Sequence, residues 1–310
     1  MLKVLVHGQL GIIPMLKVVI LPLLVIIHTL KDLQLLQGME LIPKRKYSCR
    51  WKFFSCRSYY TTSSGTYSHT EGERTLATAQ GSHAEGTGSI TAGNFSHAEG
   101  QFTYTVGQAS HAEGLSTIAG GSYSHAEGWI TYTGANYAHA EGRQTSASAA
   151  YSHTEGWVTI ATGQGAHAEG QGSQAKGLSS HAEGSYTIAS GSYSHAEGVS
   201  AQSLGLYSHA EGYLSLAMGE ASHAEGNQTI ASGSYQHVQG AFNIALPDES
   251  AFIIGNGTSG GSRSNLVFAS GSQFQVTGSL LVTGSANING FTVLPQVSAS
   301  LDFIDDAAAA

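Results

Sequence analysis

Residues 185–198 read SYTIASGSYSHAEG, and this 14-residue unit decides how the chain folds. Its His-Ala-Glu-Gly ending returns at a constant interval of 14 residues along more than half of the chain. Twelve of the repeated histidines are followed two positions later by glutamate, and the thirteenth copy, residues 237–240, reads HVQG. The repeated histidines are His69, His83, His97, His111, His125, His139, His153, His167, His181, His195, His209, His223 and His237.

A constant short period is typical of stacked, nearly identical units rather than of a domain built around one core. The stack predicts a rod, and proteins that form rods are usually structural or adhesive. Glycine accounts for 40 of the 310 residues, and only 11% of residues are charged. Disordered segments share this composition, but disorder requires no strict register. We therefore expect an ordered solenoid.

Charge is distributed unevenly along the chain. Nine of the 13 Lys and Arg residues lie in residues 1–58, whereas residues 69–240 contain three of them and 14 Glu. With neutral histidines this tract carries a formal charge of −11 and lacks the basic face that nucleic acid requires, so we expect no nucleic-acid partner. Cys49 and Cys56 lie outside the repeat and do not indicate a disulfide framework.

The first 58 residues have two interpretations. Residues 10–28 read LGIIPMLKVVILPLLVIIH, which is typical of a signal peptide or membrane anchor except that two prolines interrupt it and no clear cleavage site follows. Alternatively, residues 1–58 are the repeat translated out of frame. Codons for His-Ala-Glu-Gly read one base late give Met-Leu-Lys-Val, which occurs at residues 1–4 and 15–18. We favour the second interpretation, under which this segment carries no function.

Small and larger side chains alternate within the repeat, which predicts β-strands because successive side chains on a strand point to opposite faces. Ser194 and Ala196 would share one face, with His195 and Glu197 on the other, and residues 187–189 repeat the pattern. Nine of twelve repeats carry Gly ten residues after the histidine, where we expect a tight turn. Two short strands and two turns then form one rung of a parallel β-roll.

Such a roll would have almost no apolar core of its own, because Ala, Ser and Thr bury little apolar area. We therefore predict an obligate homo-oligomer, most naturally a homotrimer around a central axis. Thirteen rungs at a spacing of roughly 4.8 Å would give a shaft of about 60 Å.

The unit resembles the head repeat of trimeric autotransporter adhesins, the YadA-like heads, in which Ser-Val-Ala-Ile-Gly is followed by small alternating residues and a Gly turn. The resemblance covers residues 67–240, with His in place of the Val and Glu in place of the Ile. In its Ser-His-Ala-Glu-Gly form the repeat is similar to that of phage tail fibres and neck appendages. The resemblance implies an all-β, left-handed parallel β-roll that trimerises.

The same resemblance implies a function in host attachment. We expect the structural shaft of a virion tail fibre or appendage, with a bacterial cell-surface adhesin head as the alternative. A host-cell receptor would be bound through a tip beyond residue 310. Residues 250–258 and 263–265 are similar to the junction that follows such repeats, and the DDAAAA ending at residues 305–310 is similar to a point from which related fibres continue. The expected divisions are 1–58, a β-roll shaft at 59–240 and a β-rich fibre segment at 241–310.

The recurring His and Glu admit three interpretations. One is a structural ladder in which histidine from one chain hydrogen-bonds glutamate from another and neutralises the stacked carboxylates, since unpaired buried Glu at such spacing would repel strongly. A metal site is the second, because both residue types ligate metals, and plain solvent exposure is the third. For the ladder, which we favour, the residues are His69, His125, His139, His153, His167, His181, His195, His209, His223, Glu127, Glu141, Glu155, Glu169, Glu183, Glu197, Glu211 and Glu225. For the metal alternative they are His83, Glu85, His97, Glu99, His111 and Glu113.

Catalysis and ice binding are the remaining classes. We expect no enzyme and no cofactor, because an active site is normally unique whereas this pair is uniform, and no nucleophile elbow, P-loop or Cys-His cluster occurs. An ice-binding solenoid also has threonine ladders, but its threonines face outward. Here we expect the Thr-x-Ala positions to face inward.

Overall fold

The computed structural model describes residues 59–280 and two short strands before them, Ser48–Cys49 and Ser55–Arg57. All regular secondary structure in these residues is β-strand. Within this described part, no helix is long and apolar enough to cross a bilayer. The two interpretations of residues 1–58 concern residues that lie almost entirely outside the description, as does the end of the 241–310 segment.

The chain forms two long sheets from strands that alternate between them. Through the repeat tract, every second strand belongs to what we call the short-strand sheet, and each strand of this sheet is two residues long. Its members are β1 (Ser48–Cys49), β3 (Thr62–Ser63), β5 (Leu76–Ala77), β7 (Ile90–Thr91), β9 (Tyr104–Thr105), β11 (Ile118–Ala119), β13 (Tyr132–Thr133), β15 (Ser146–Ala147), β17 (Ile160–Ala161), β19 (Gln174–Ala175), β21 (Ile188–Ala189), β23 (Gln202–Ser203), β25 (Leu216–Ala217) and β27 (Ile230–Ala231).

The other sheet, which we call the long-strand sheet, carries the repeated histidines. Its parallel members are β2 (Ser55–Arg57), β4 (His69–Glu73), β6 (His83–Thr87), β8 (His97–Gln101), β10 (His111–Leu115), β12 (His125–Trp129), β14 (His139–Arg143), β16 (His153–Thr154), β18 (His167–Ala168), β20 (His181–Ala182), β22 (His195–Val199), β24 (His209–Tyr213), β26 (His223–Asn227), β28 (His237–Ala241) and β29 (Phe252–Asn256). Two antiparallel strands, β30 (Asn265–Ser270) and β31 (Gln273–Val276), complete it.

Backbone hydrogen bonds join each rung to the next in a constant register. His111 pairs with His125 in the long-strand sheet, and Ile118 pairs with Tyr132 in the short-strand sheet, each 14 residues on. The turns are bonded in the same way: the N–H of Ala109 donates to the carbonyl of Asn94 at 2.8 Å. The predicted parallel β-solenoid of 14-residue rungs is therefore confirmed.

The interior between the two sheets consists of small side chains, as the alternation predicted. Ser194, Ala196, Thr187 and Ala189 are all buried, and none is more than 2% exposed. Most serines at the position of Ser194 donate to a carbonyl of the preceding turn; the Ser124 hydroxyl, for example, lies 2.7 Å from the oxygen of Gly121. The Ser194 hydroxyl donates instead to the Ser203 carbonyl. The threonines of this interior face inward, so they do not form an outward ice-binding face.

In the turn that precedes each long strand, the residue with the left-handed backbone conformation is not the glycine that the sequence led us to expect. Gly121 opens the turn, and its carbonyl oxygen accepts a hydrogen bond from the Ser124 hydroxyl. The Gly107 carbonyl accepts one from the N–H of Ser110. The left-handed backbone conformation belongs instead to Tyr123, at φ 58°. The expected turn glycine is needed for a different reason: a Cβ on Gly121 would lie 1.9 Å from the oxygen of Ala135 on the next rung.

The glycine of His-Ala-Glu-Gly has the strongest backbone requirement in the rung. At Gly128 φ is +109°, and a Cβ built there would lie 2.1 Å from the carbonyl oxygen of Gly142. A side chain would therefore meet both an unfavourable backbone conformation and the backbone of the next rung. Sequence analysis assigned no role to this glycine, although every one of the thirteen repeats has it.

The parallel stack ends at a cap built from side-chain amides. The register lengthens by one residue where His237 pairs with Phe252, and β29 then pairs antiparallel with β30. The Asn243 side chain takes the place of a next strand for β27, since its Oδ1 accepts from the Ile230 N–H at 2.7 Å and its Nδ2 donates to the Ile230 carbonyl at 3.0 Å. Arg263 donates to two further carbonyls, those of Gln228 and Asn243.

By backbone contacts the chain divides into two units, Met1–Thr277 and Gly278–Ala310. The solenoid and its cap belong to the first. Of the second, the structure describes only residues 278–280.

Substitution of the motif glycine should destabilise the stack. We expect Gly128→Ala to lower the free energy of unfolding by at least about 2 kcal/mol, because neither the positive φ nor the contact with the Gly142 carbonyl can relax without breaking the register. Gly261→Ala is the matched control, since a Cβ there meets nothing within 4 Å. Thermal melting of both variants tests this, and equal melting temperatures would contradict the role given to Gly128.

Candidate functional site: a histidine–glutamate ladder

The outer face of the long-strand sheet displays the repeated histidines and glutamates. Because Ser194 and Ala196 point into the roll, the residues between and after them, His195 and Glu197, must point outward. Both are half-buried, with side chains 36% and 35% exposed. This placement agrees with the alternation, and it repeats at every rung from His69 to His237. We call this face the His–Glu ladder.

The imidazole rings of the ladder stack on one another. From His83 to His223 the ring centroids of successive rungs are 4.6–4.9 Å apart and the ring planes lie within 12° of parallel. At the two ends the rings tilt: the angle is 76° between His69 and His83 and 54° between His223 and His237. The rung spacing therefore sets the distance between successive rings, whereas the ring orientation changes at the two ends.

Most glutamates lie beside the histidine of their own rung. The closest pair is His125 Nε2 and Glu127 Oε2, at 3.4 Å. Comparable pairs, at 3.6–4.0 Å, are His69–Glu71, His83–Glu85, His139–Glu141, His167–Glu169, His181–Glu183, His195–Glu197 and His209–Glu211. Glu225 instead approaches His237 of the following rung, at 3.9 Å.

These contacts are too long to be hydrogen bonds. The Nε2 atoms of eleven ladder histidines, from His83 to His223, are buried without a hydrogen-bond partner among the described residues. Four expected partners, in the His97, His111, His153 and His223 rungs, do not come within 4.0 Å of the histidine of their own rung: Glu99, Glu113, Glu155 and Glu225. Whether histidine neutralises the carboxylates, and whether this face meets a partner chain, stay predictions.

Burial lowers the pKa of six ladder histidines, and repulsion from neighbouring histidines lowers these pKa values further. The six are His83, His97, His125, His153, His167 and His209. The nearby carboxylates raise the same pKa values but more weakly. At these six histidines the effect of burial therefore outweighs that of pairing with Glu.

Several sets of ladder residues have the composition of a metal site. Two histidines from successive rungs and the glutamate of the first rung bring their ligand atoms within 4.8 Å of one another. Such sets include His83–Glu85–His97 and four that run consecutively from His153 to His209. Of the sequence-derived metal candidates, His83, Glu85 and His97 are therefore brought together.

Sequence analysis missed two groups of exposed aromatic residues. One lies two positions before the histidine, always at positive φ, and it could have been found from the period: Tyr67, Phe95, Tyr123, Tyr137, Tyr151, Tyr193, Tyr207 and Tyr235. The other is a stack in which the Arg143 guanidinium lies 4.1 Å from the ring centre of Trp129 and 5.7 Å from that of Trp157. Both groups lie outside the His–Glu ladder.

Comparison with known proteins adds no family. No protein-family model matches the chain, and no curated protein matches it.

The direction of the histidine pKa values fixes the pH dependence of stability. A histidine whose folded pKa lies below its unfolded value of about 6.5 stabilises the fold fully above that pH and loses this contribution as pH falls through 6.5 toward the folded pKa. We therefore expect the melting temperature in the presence of a chelator to be flat from pH 9 to about 7 and to fall between about 6.5 and 5.

Replacing the histidines with the lowered pKa should remove this acid sensitivity. In a variant with His97→Phe, His125→Phe and His153→Phe, the fall between about pH 6.5 and 5 should be smaller than in the parent chain. Phenylalanine suits the register, because Phe252 pairs with His237 in the native chain. A melting temperature that rises on acidification would show that pairing with Glu dominates after all.

Proposed function

We propose that this protein is the shaft of a trimeric attachment fibre, of the kind carried by phage tails and neck appendages. The observation that carries the proposal is the combination of an unbroken 14-residue register with an interior made of small side chains. A fold of this kind is a spacer, because each added rung lengthens it by a fixed step without changing its cross-section.

The need for partner chains follows from where the large apolar side chains lie. In the repeat tract, the interior holds mainly Ala, Ser and Thr, which bury little apolar area. Each therefore stabilises the fold less than a buried Leu or Ile, which contributes roughly 1.5–3 kcal/mol. Large side chains lie outside instead: Tyr123, Tyr151 and Tyr207 are more than half exposed. Rows of such residues along the whole length of a rod suit contact with further copies in the same register. Three copies around one axis are the arrangement that the resemblance to YadA-like heads implies.

The uniformity of the surface supports a spacing role over a receptor-binding one. Receptor recognition usually requires a unique surface on a loop or at a tip. The rungs instead repeat the same His–Glu face along the solenoid. We therefore assign contact with the host-cell surface receptor to another element of the fibre. The Ser-His-Ala-Glu-Gly form of the repeat favours a virion fibre, and the general pattern of small residues also fits the alternative, a bacterial surface adhesin head.

Two measurements test this proposal. Analytical ultracentrifugation of a fragment spanning residues 59–280 should give three times the fragment mass, because a single copy leaves its outer apolar rows exposed to water. The same fragment should appear in electron micrographs as a rod of about 60 Å. A folded, monomeric fragment at micromolar concentration would overturn the trimer.

Gold-labelled antibodies raised against the same fragment test the biological setting. We expect label on the tail or neck appendages of virions from a culture that produces the protein. Label on the bacterial envelope would support the adhesin instead. Label on neither would overturn the attachment proposal while leaving the trimer measurement unaffected.

A further inference from the structure

We propose that the His–Glu ladder is a multi-site binding ribbon for divalent transition-metal ions, with Zn²⁺ as the reference ion. Each site consists of histidine Nε2 atoms from two successive rungs and one carboxylate oxygen of the intervening glutamate. The inference concerns this chain's own residues and does not rest on the proposed shaft function.

The spacing between histidine and glutamate fits two ligands of one ion better than it fits a hydrogen bond. Zinc bonds of about 2.0–2.2 Å in tetrahedral geometry place neighbouring ligand atoms about 3.3–3.5 Å apart. In the sets at His83, His181 and His195, the Nε2 and Oε2 atoms are 3.8, 3.7 and 3.7 Å apart. A direct hydrogen bond would bring these atoms to about 2.7–2.9 Å.

The unpaired nitrogen atoms are a second, independent observation. Buried polar atoms normally have a partner, since leaving one unsatisfied costs about 1–3 kcal/mol. Here the Nε2 atoms of His153, His167, His181, His195 and His209 are buried without a hydrogen-bond partner. A neutral imidazole nitrogen beside a carboxylate is a ligand set that Zn²⁺, Ni²⁺ and Cu²⁺ prefer and that Mg²⁺ does not.

The backbone is irregular where these sets are consecutive. In the rungs of His153, His167 and His181 the long strands shorten to two residues, β16, β18 and β20, and end before the glutamate. The glutamate of these rungs is therefore held outside the regular strand. Glu169 and Glu183 are 33% and 35% exposed, as are Glu211 and Glu197 in rungs with full five-residue strands.

The number of ions that the ladder can bind is limited by the number of histidine lone pairs. The Nε2 of a neutral imidazole has one lone pair, so two neighbouring sets that share a histidine cannot both be filled. The five histidines from His153 to His209 form four overlapping sets and should hold two ions. The separate set at His83 should hold one more.

Binding requires the imidazoles to leave their parallel stack, because the lone pairs of parallel rings do not converge. The ligand atoms of one set spread over as much as 4.8 Å and must close toward about 3.4 Å. This movement is a rotation of half-buried side chains on the outer face and leaves the backbone hydrogen bonds between rungs intact. With three protein ligands, a fourth position remains for water.

Equilibrium dialysis of the full chain against Zn²⁺, with bound metal measured by mass spectrometry, tests the proposal. All proteins in the comparison carry Cys49→Ser and Cys56→Ser, because thiolates would compete for zinc. We expect at least three ions per chain, and no comparable binding of Mg²⁺. Equal binding of both metals would show a diffuse acidic surface and overturn the proposal.

Two substitutions locate the sites. His167→Phe with His195→Phe removes a ligand from all four consecutive sets and should lower the count by two ions per chain. Glu73→Gln with Glu220→Gln, two carboxylates outside the ladder, is the matched control and should leave the count unchanged. An unchanged count in the histidine variant, or an equal loss in the control, would overturn the proposal.

A second variant guards against loss of folding. Glu155→Gln, Glu169→Gln, Glu183→Gln and Glu197→Gln together keep every histidine and should weaken the same two sites at least tenfold. Glutamine suits this position, because Gln239 occupies it in the native chain and pairs in register with Ile254. Unaltered zinc affinity in this folded variant would show that the glutamates are not ligands.

Discussion

Backbone hydrogen bonding that pairs each residue with the one 14 positions on is the constraint on which every other feature of the described chain depends. It fixes each residue beside its own counterpart in the next rung, so every position must tolerate a copy of itself at strand spacing. Alanine and serine meet this requirement inside the roll, where there is room only for small side chains. Glycine meets it at Gly128 and its counterparts, where the carbonyl of the next rung occupies the place of a Cβ.

The same constraint decides which groups the outside of the roll can carry. Two like charges 4.8 Å apart repel by about 0.9 kcal/mol in bulk water and by roughly 3–4 kcal/mol at the effective dielectric constant of a protein surface. Neutral imidazoles avoid this repulsion and stack with their planes nearly parallel. Stacking also accounts for Arg143, whose charge lies between the rings of Trp129 and Trp157. At the histidines whose pKa burial lowers, among them His97 and His125, an added proton is therefore unfavourable.

The period and the alternation of residue sizes were enough to predict the solenoid, its 14-residue rung and the inward direction of Ala196 and Thr187. They also placed His195 and Glu197 on one outer face. The sequence could not show that histidine would stack on histidine, since this depends on ring orientation. It could not show the direction of the histidine pKa values either, because that direction depends on how deeply the rings are buried. The positive φ of Tyr123 was unexpected for an aromatic residue, and the cap formed by Asn243 has no repeating pattern to reveal it.

The 14-residue rung is the smallest unit that can be removed without breaking the fold, and deletion of one rung tests this most directly. Removal of residues 125–138 joins Ser124 to His139 in the original register, so the melting temperature should stay nearly unchanged and the rod should shorten by about 4.8 Å. Removal of residues 125–131 joins Ser124 to Tyr132 and directs short-strand residues into the long-strand sheet, so cooperative melting should be lost or fall well below that of the parent. If the seven-residue deletion melts like the 14-residue deletion, the register does not control the fold and the account is wrong.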